Sequence, residues 1–168
     1  LLKSVVYCNE LGSYSAPLLV SNASRFNTLS NLVLYLGGVI TNGTFSFSGK
    51  VGVNGTIVAN NGVISSDTED DYLVVSSNLS YGFNLKNQSK LLVKRTIVSG
   101  YTKGISTSVE SISAVDYGYV VGCTTGVYAE SMSYVRVMSE RLFGNATDCN
   151  PVFDTQGNNY AFIESYSE

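Results

Sequence analysis

An all-β solenoid of stacked parallel coils, about 22 residues each, is the fold this sequence predicts, and three observations predict it. Five glycine-hydrophobic steps, Gly38-Val39, Gly62-Val63, Gly82-Phe83, Gly104-Ile105 and Gly126-Val127, recur at intervals of 24, 20, 22 and 22 residues. A fixed period of this length marks a repeat in which each unit buries its apolar side against the next. Residues 22 apart also agree in kind: Phe83, Ile105 and Val127; Val93, Val115 and Val137; Val98, Val120 and Leu142. Finally, no window carries sustained helical apolar spacing, and Val, Ile, Thr, Tyr and Phe, which suit a pleated half-buried surface, are frequent.

The elements follow in order. The apolar run at residues 1–7 reads as the inside of a strand, and an edge of that kind is normally covered, so the expectation is a segment of a longer chain. Residues 1–37 are expected to form an irregular or capping coil with a strand near residues 16–20. Residues 38–147 form the regular coils, and 148–168 a degenerate terminal coil, because end coils must close the stack. Together, 1–168 is one β-helical unit. Within the regular coils Leu85, Thr107 and Ala129 continue the first strand inward at every second position. Asn84, Ser106 and Tyr128, like Lys94, Asp116 and Met138, change character from coil to coil and face outward. Gly100, Gly122 and Gly144 mark a turn row where a residue without Cβ is needed. The competing fold is an antiparallel sandwich, with Asn42-Gly43 and Asn54-Gly55 as hairpin turns, but hairpins do not require matched rows.

Composition narrows the function. Charged residues are 14% of the 168, against about 25% in typical domains, and the ten basic residues are scattered, so nucleic-acid binding is not expected. No apolar run reaches the ~18 residues that span a bilayer, and membrane insertion is not expected. The chain has no His, which removes Ser-His and Cys-His nucleophile pairs, and Cys8, Cys123 and Cys149 alone do not make a zinc site. The cysteines read as buried thiols. No cofactor is expected. Six Asn-x-Ser/Thr sequons, at Asn22, Asn42, Asn54, Asn78, Asn87 and Asn145, are what chance supplies in an Asn- and Ser-rich chain. The acidic run Asp67, Glu69, Asp70, Asp71 interrupts the repeat and reads as a solvated loop, with calcium as the lesser reading.

Gly-Val-Tyr-Ala at 126–129, Ser-Met-Ser-Tyr-Val at 131–135, Gly-Asn-Ala-Thr at 144–147 and Asp-Thr-Gln-Gly-Asn-Asn at 154–159 resemble the right-handed parallel β-helix of bacteriophage tailspikes and tail fibres, a fold shared with pectate lyases. The resemblance covers residues 82–163 and extends weakly to 38. It implies a homotrimer on the virion tail, outside the cell, joined to other tail proteins and contacting a bacterial surface polysaccharide or other receptor. No catalytic motif of the family lands on this chain, so an attachment or structural role is expected ahead of an enzyme. The rivals are a polysaccharide depolymerase, hydrolase or lyase, of the same fold and a bacterial β-helical adhesin.

Candidate binding residues are Tyr117, Tyr119, Tyr128 and Tyr134, because a tyrosine offers a flat apolar face and a hydroxyl to a sugar ring. Glu130, Arg136, Glu140 and Arg141 lie in the coil of Tyr128 and Tyr134, and Arg pairs with carboxylates bidentately. The blander reading is that these residues cover the sheet or a subunit interface. Lys94 and Asp116, 22 apart, are expected as a stacked surface pair. As a catalytic pair only Glu110 and Asp154 come near: 44 residues apart, they share a row two coils apart, roughly 9.6 Å, close to the separation of an inverting glycosidase.

Overall fold

In the computed structural model the backbone is described for residues 5–8, 12–14, 18–20, 25–28, 33–138, 141–143, 145–151 and 162–166, and side chains for 19, 36–136, 142 and 145–147. No helix occurs among the described residues, and every pairing of strands is parallel. The protein is a β-solenoid, and three ladders run along it. The first face stacks Leu18–Val20, Val39–Thr41, Ile57–Asn60, Tyr81–Lys86, Lys103–Thr107, Thr125–Ala129 and Thr147–Pro151. The second carries Val5–Cys8, Arg25–Thr28, Thr44–Phe47 and Val63–Ser66, then the leading halves of Lys90–Ser99 and Ile112–Val121, then Tyr134–Met138 and Phe162–Tyr166. The third carries Gly12–Tyr14, Val33–Leu36, Lys50–Val53 and Tyr72–Ser76, the trailing halves of the two long strands, and Arg141–Phe143.

The turns at Asn42-Gly43 and Asn54-Gly55 therefore join strands of different ladders. Val39–Thr41 pairs with the coils above and below rather than with Thr44–Phe47, which excludes the sandwich.

Like side chains meet in columns, as the 22-residue rows require. Val39, Ile57, Phe83, Ile105 and Val127 are successive partners on the first face; Val93, Val115 and Val137 on the second; Val53, Val75, Val98, Val120 and Leu142 on the third. Phe45, Phe47, Ile57, Ile64, Leu73, Phe83, Leu85, Leu91 and Ile105 are fully buried in the lumen. Each such side chain stabilises by about 1.5–3 kcal/mol relative to its exposed state. Inward polar residues find partners there: the Thr107 and Ser113 hydroxyls meet across the corner at 2.7 Å, and Ser133 Oγ donates to the Thr107 carbonyl at 2.8 Å.

The corners have distinct chemistry. In the long strands the alternation slips once, so that Lys94 and Arg95, and likewise Asp116 and Tyr117, both lie outside the lumen between buried Val93 and Thr96, or Val115 and Gly118. That slip turns the second face into the third without a loop. Gly100 and Gly122 have φ of 86° and 63°, the left-handed conformation expected of their row; Gly144 lies outside the described residues. The corner from first to second face uses no glycine. Asn87-Gln88, Val109-Glu110 and Ser131-Met132 all have φ between 52° and 62°. The buried serines that follow brace it, Gly62 N donating to Ser89 Oγ at 3.2 Å and Ser89 N to Ser111 Oγ at 3.1 Å.

One coil departs from this scheme. Nine residues separate Ile64 from Leu73, whereas five separate their partners Leu91 and Thr96, so four extra residues leave the corner as the acidic loop. Its Asp71 is turned inward, accepting hydrogen bonds from Gly49 N at 2.6 Å and Thr68 N at 2.5 Å. An unmet buried donor is costly, so Asp71→Ala is expected to lower stability by about 2 kcal/mol, read as a shift in the urea midpoint.

Candidate functional site

The lumen is filled with apolar columns, so chemistry belongs on the outside. The residues grouped by sequence proximity do not form one site. In a three-ladder coil, positions six to eleven residues apart fall on different faces, and the structure places Tyr128 and Glu130 on the first, Tyr134 and Arg136 on the second, and Tyr117 and Tyr119 on the third.

On the first face the tyrosine is already engaged. Lys103 Nζ stands 3.2 Å from the centroid of the Tyr128 ring and 5.8 Å from that of Tyr81, a cation–π clamp. The Tyr128 hydroxyl donates to Glu130 Oε2 at 2.9 Å. Burial, then the Glu130 hydrogen bond, push the Tyr128 phenol upward from its ordinary value. Ring face and hydroxyl are both used inside the protein.

The second face centres on an ion triad. Lys94 Nζ reaches Asp116 Oδ2 at 2.5 Å and Arg136 Nη2 reaches Asp116 Oδ1 at 3.2 Å, joining adjacent coils. The stacked pair expected from sequence is present, and Arg136 adds a third member. The hydrogen bond to Asp116 raises the Lys94 pKa. Arg136 therefore neutralises Asp116 rather than standing ready for a ligand carboxylate.

The third face is more open. Lys50, Tyr72, Arg95 and Tyr117 are successive ladder partners, and Tyr119 lies two positions along from Tyr117, in the next outward column. Tyr117 is 55% exposed. The Arg95 guanidinium lies 3.8 Å from Asp70 of the acidic loop, both on the surface. Tyr72 and Arg95 belong to this surface although sequence reasoning missed them. The signal that finds them is their spacing, 23 and then 22 residues ahead of Tyr117. Arg141 follows Tyr119 in the ladder, but its side chain lies outside the described residues, as do Glu140 and Asp154.

Glu110 sits in the first-to-second corner, where its carboxylate accepts a hydrogen bond from Gln88 Nε2 at 2.9 Å. The pairing with Asp154 rests on a residue outside the described set. Burial pushes the Cys123 thiol up, so it is not an activated thiolate; Cys8 and Cys149 have no described side chains. No group of three or more potential metal ligands occurs among the described residues. The loop carboxylates diverge, Asp67 to Ser48 Oγ at 3.2 Å, Asp70 to Arg95 and Asp71 to backbone. The sequon residue Asn145 is structural: Oδ1 accepts from Cys123 N and Nδ2 donates to Val120 O, both at 2.9 Å.

No family model matches this chain, and no curated protein or solved structure matches it either.

Proposed function

We propose that this chain is the β-helical, receptor-binding segment of a bacteriophage tail fibre or tailspike, acting as a homotrimer on the virion tail and presenting its outer faces to a bacterial surface glycan. The observation that carries the reading is the division of labour between inside and outside. A continuous apolar lumen makes a rigid rod, while aromatic and charged residues recur on the outer ladders, where a receptor can reach them. The sequence resemblance in coil length and turn motifs supports the viral assignment. Exposed Leu92 and Ile112 on the second face support association through outer faces, since apolar surface of this kind is commonly covered in an assembly.

Sedimentation of the purified protein at micromolar concentration, with adsorption to a panel of bacterial cells and a glycan array, tests it. The expected result is three chains of 18.0 kDa per particle and adsorption to some strains only. A monomer that adsorbs to no strain and no glycan overturns the proposal, and release of reducing sugar from a bound glycan replaces it with a depolymerase.

A further inference from the structure

Resting on that reading, we infer that the third face, where it meets the acidic loop, is a subsite for neutral sugar rings, with Tyr117 as the stacking platform and Asp70 and Arg95 as the hydroxyl-binding pair. Of the three outer faces, this one has an aromatic ring that is largely exposed beside charged groups that are weakly committed. Tyr128 lies under Lys103, and the ions of the second face are closed on Asp116. The Arg95 side chain is 48% exposed and that of Asp70 95%, and their 3.8 Å separation is a loose contact of the kind that contributes little in water. Both groups can turn to a ligand at small cost.

A pyranose ring has an apolar C–H face and a rim of paired hydroxyls. The ring of Tyr117 suits the face, and a carboxylate that accepts beside a guanidinium that donates suits the rim. The four-residue insertion puts Asp70 in that place. Asp71 holds the inserted loop to the backbone of Gly49, so the acceptor is positioned before a ligand arrives, which limits the ordering cost of binding. Tyr72 and Tyr117 stand two coils apart in one column, roughly 9.6 Å, room for a second sugar unit along the solenoid axis.

Charge sets the class of sugar. Lys94 and Arg136 already face Asp116, Arg95 faces Asp70, and the Lys94 ammonium also feels Glu69. Lys50 is the remaining cation of the column, and Asp67, Glu69 and Asp70 border it. A uronic acid brings a further negative charge to a surface whose cations are balanced, whereas neutral hydroxyls bridge the existing charges.

The test is saturation-transfer NMR and calorimetry on the whole chain, with neutral oligosaccharides of glucose, galactose and mannose and with oligogalacturonate as probes. Binding of at least one neutral probe is expected, unchanged between about 0.05 and about 0.5 M salt, where an ionic contact is screened away. Tyr117→Ala is expected to weaken it about tenfold or more, with Tyr117→Phe retaining most of it. Asp70→Asn and Arg95→Gln are each expected to weaken it several-fold, and Lys103→Met on the first face to leave it unchanged. Circular dichroism of every variant establishes that the coil stack is intact. Salt-sensitive preference for oligogalacturonate overturns the inference, as does neutral binding indifferent to Tyr117→Ala; in both cases the receptor-binding role stands and the subsite does not. Failure to bind any of these probes also overturns the subsite, and failure to adsorb to cells as well removes the wider proposal.

Discussion

Tyr101→Ala is expected to cost about 3–5 kcal/mol of stability, and Tyr101→Phe about 1–3 kcal/mol. Tyr101 is 1% exposed although it sits at a corner, and the reason lies in the uneven girth of the coils. Eighteen residues separate Val39 from its partner Ile57, but 26 separate Ile57 from Phe83. At the corner from third to first face the step from Val53 to Ile57 is four residues, against seven from Val98 to Ile105. Wide corners thus overhang a narrow one. Tyr101 spans the mismatch, its hydroxyl donating to the carbonyl of Gly55 two coils away at 2.6 Å. Burial drives its phenol strongly upward, so the hydroxyl remains a donor at any pH the fold tolerates. The Ala variant loses both the ring and the bond; the Phe variant keeps the ring and strands a buried carbonyl. Urea unfolding of the three proteins checks the order wild type, Phe, Ala. Equal midpoints for Phe and Ala would mean that the ring fills nothing.

Much of this fold is legible in the sequence because stacked coils repeat their chemistry. The column Phe83, Ile105, Val127 needs only a period, and the glycines at 100 and 122 announce their left-handed turns. Even the corner between second and third faces is written there: Val93 and Val98 are both inward yet an odd number of residues apart, which strict alternation forbids, so one slip must lie between them. Other features leave no such mark. The turn at Val109-Glu110 adopts left-handed φ with residues that ordinarily avoid it, and its support comes from serine hydroxyls one coil away. The candidate site was obscured for a different reason. Tyr72 and Arg95 belong to the column of Tyr117, but the four-residue insertion before Tyr72 displaces everything upstream from the 22-residue rows. Tyr117, Tyr128 and Tyr134 look like neighbours along the chain, and the three-ladder coil sends them to three separate surfaces.

Gly104→Ala separates stacking from local conformation, and it is expected to destabilise by about 3 kcal/mol. A Cβ on Gly104 would lie 2.6 Å from Val120 Cγ1, 2.7 Å from the carbonyl oxygen of Gly126 and 3.2 Å from Cys123 Sγ. The Gly126 carbonyl belongs to the backbone of the next coil and cannot retreat without disturbing the ladder. The valine is packed in its own column. Gly82 repeats the arrangement, its added Cβ falling 2.6 Å from the carbonyl oxygen of Gly104, so the row Gly82, Gly104, Gly126 is glycine because consecutive coils approach too closely for a methyl group. Gly122 supplies the contrast: its φ of 63° is left-handed but an added Cβ meets nothing within 4 Å, so Gly122→Ala is expected to cost only the backbone strain, about 1–2 kcal/mol. If thermal melts of the two variants coincide, the clash is relieved by coils that slide apart. A wider gap between them places the selective pressure on these glycines in the spacing of the coils themselves, since Ala has no conformational objection to an extended strand and the whole penalty at Gly104 comes from its neighbours along the axis.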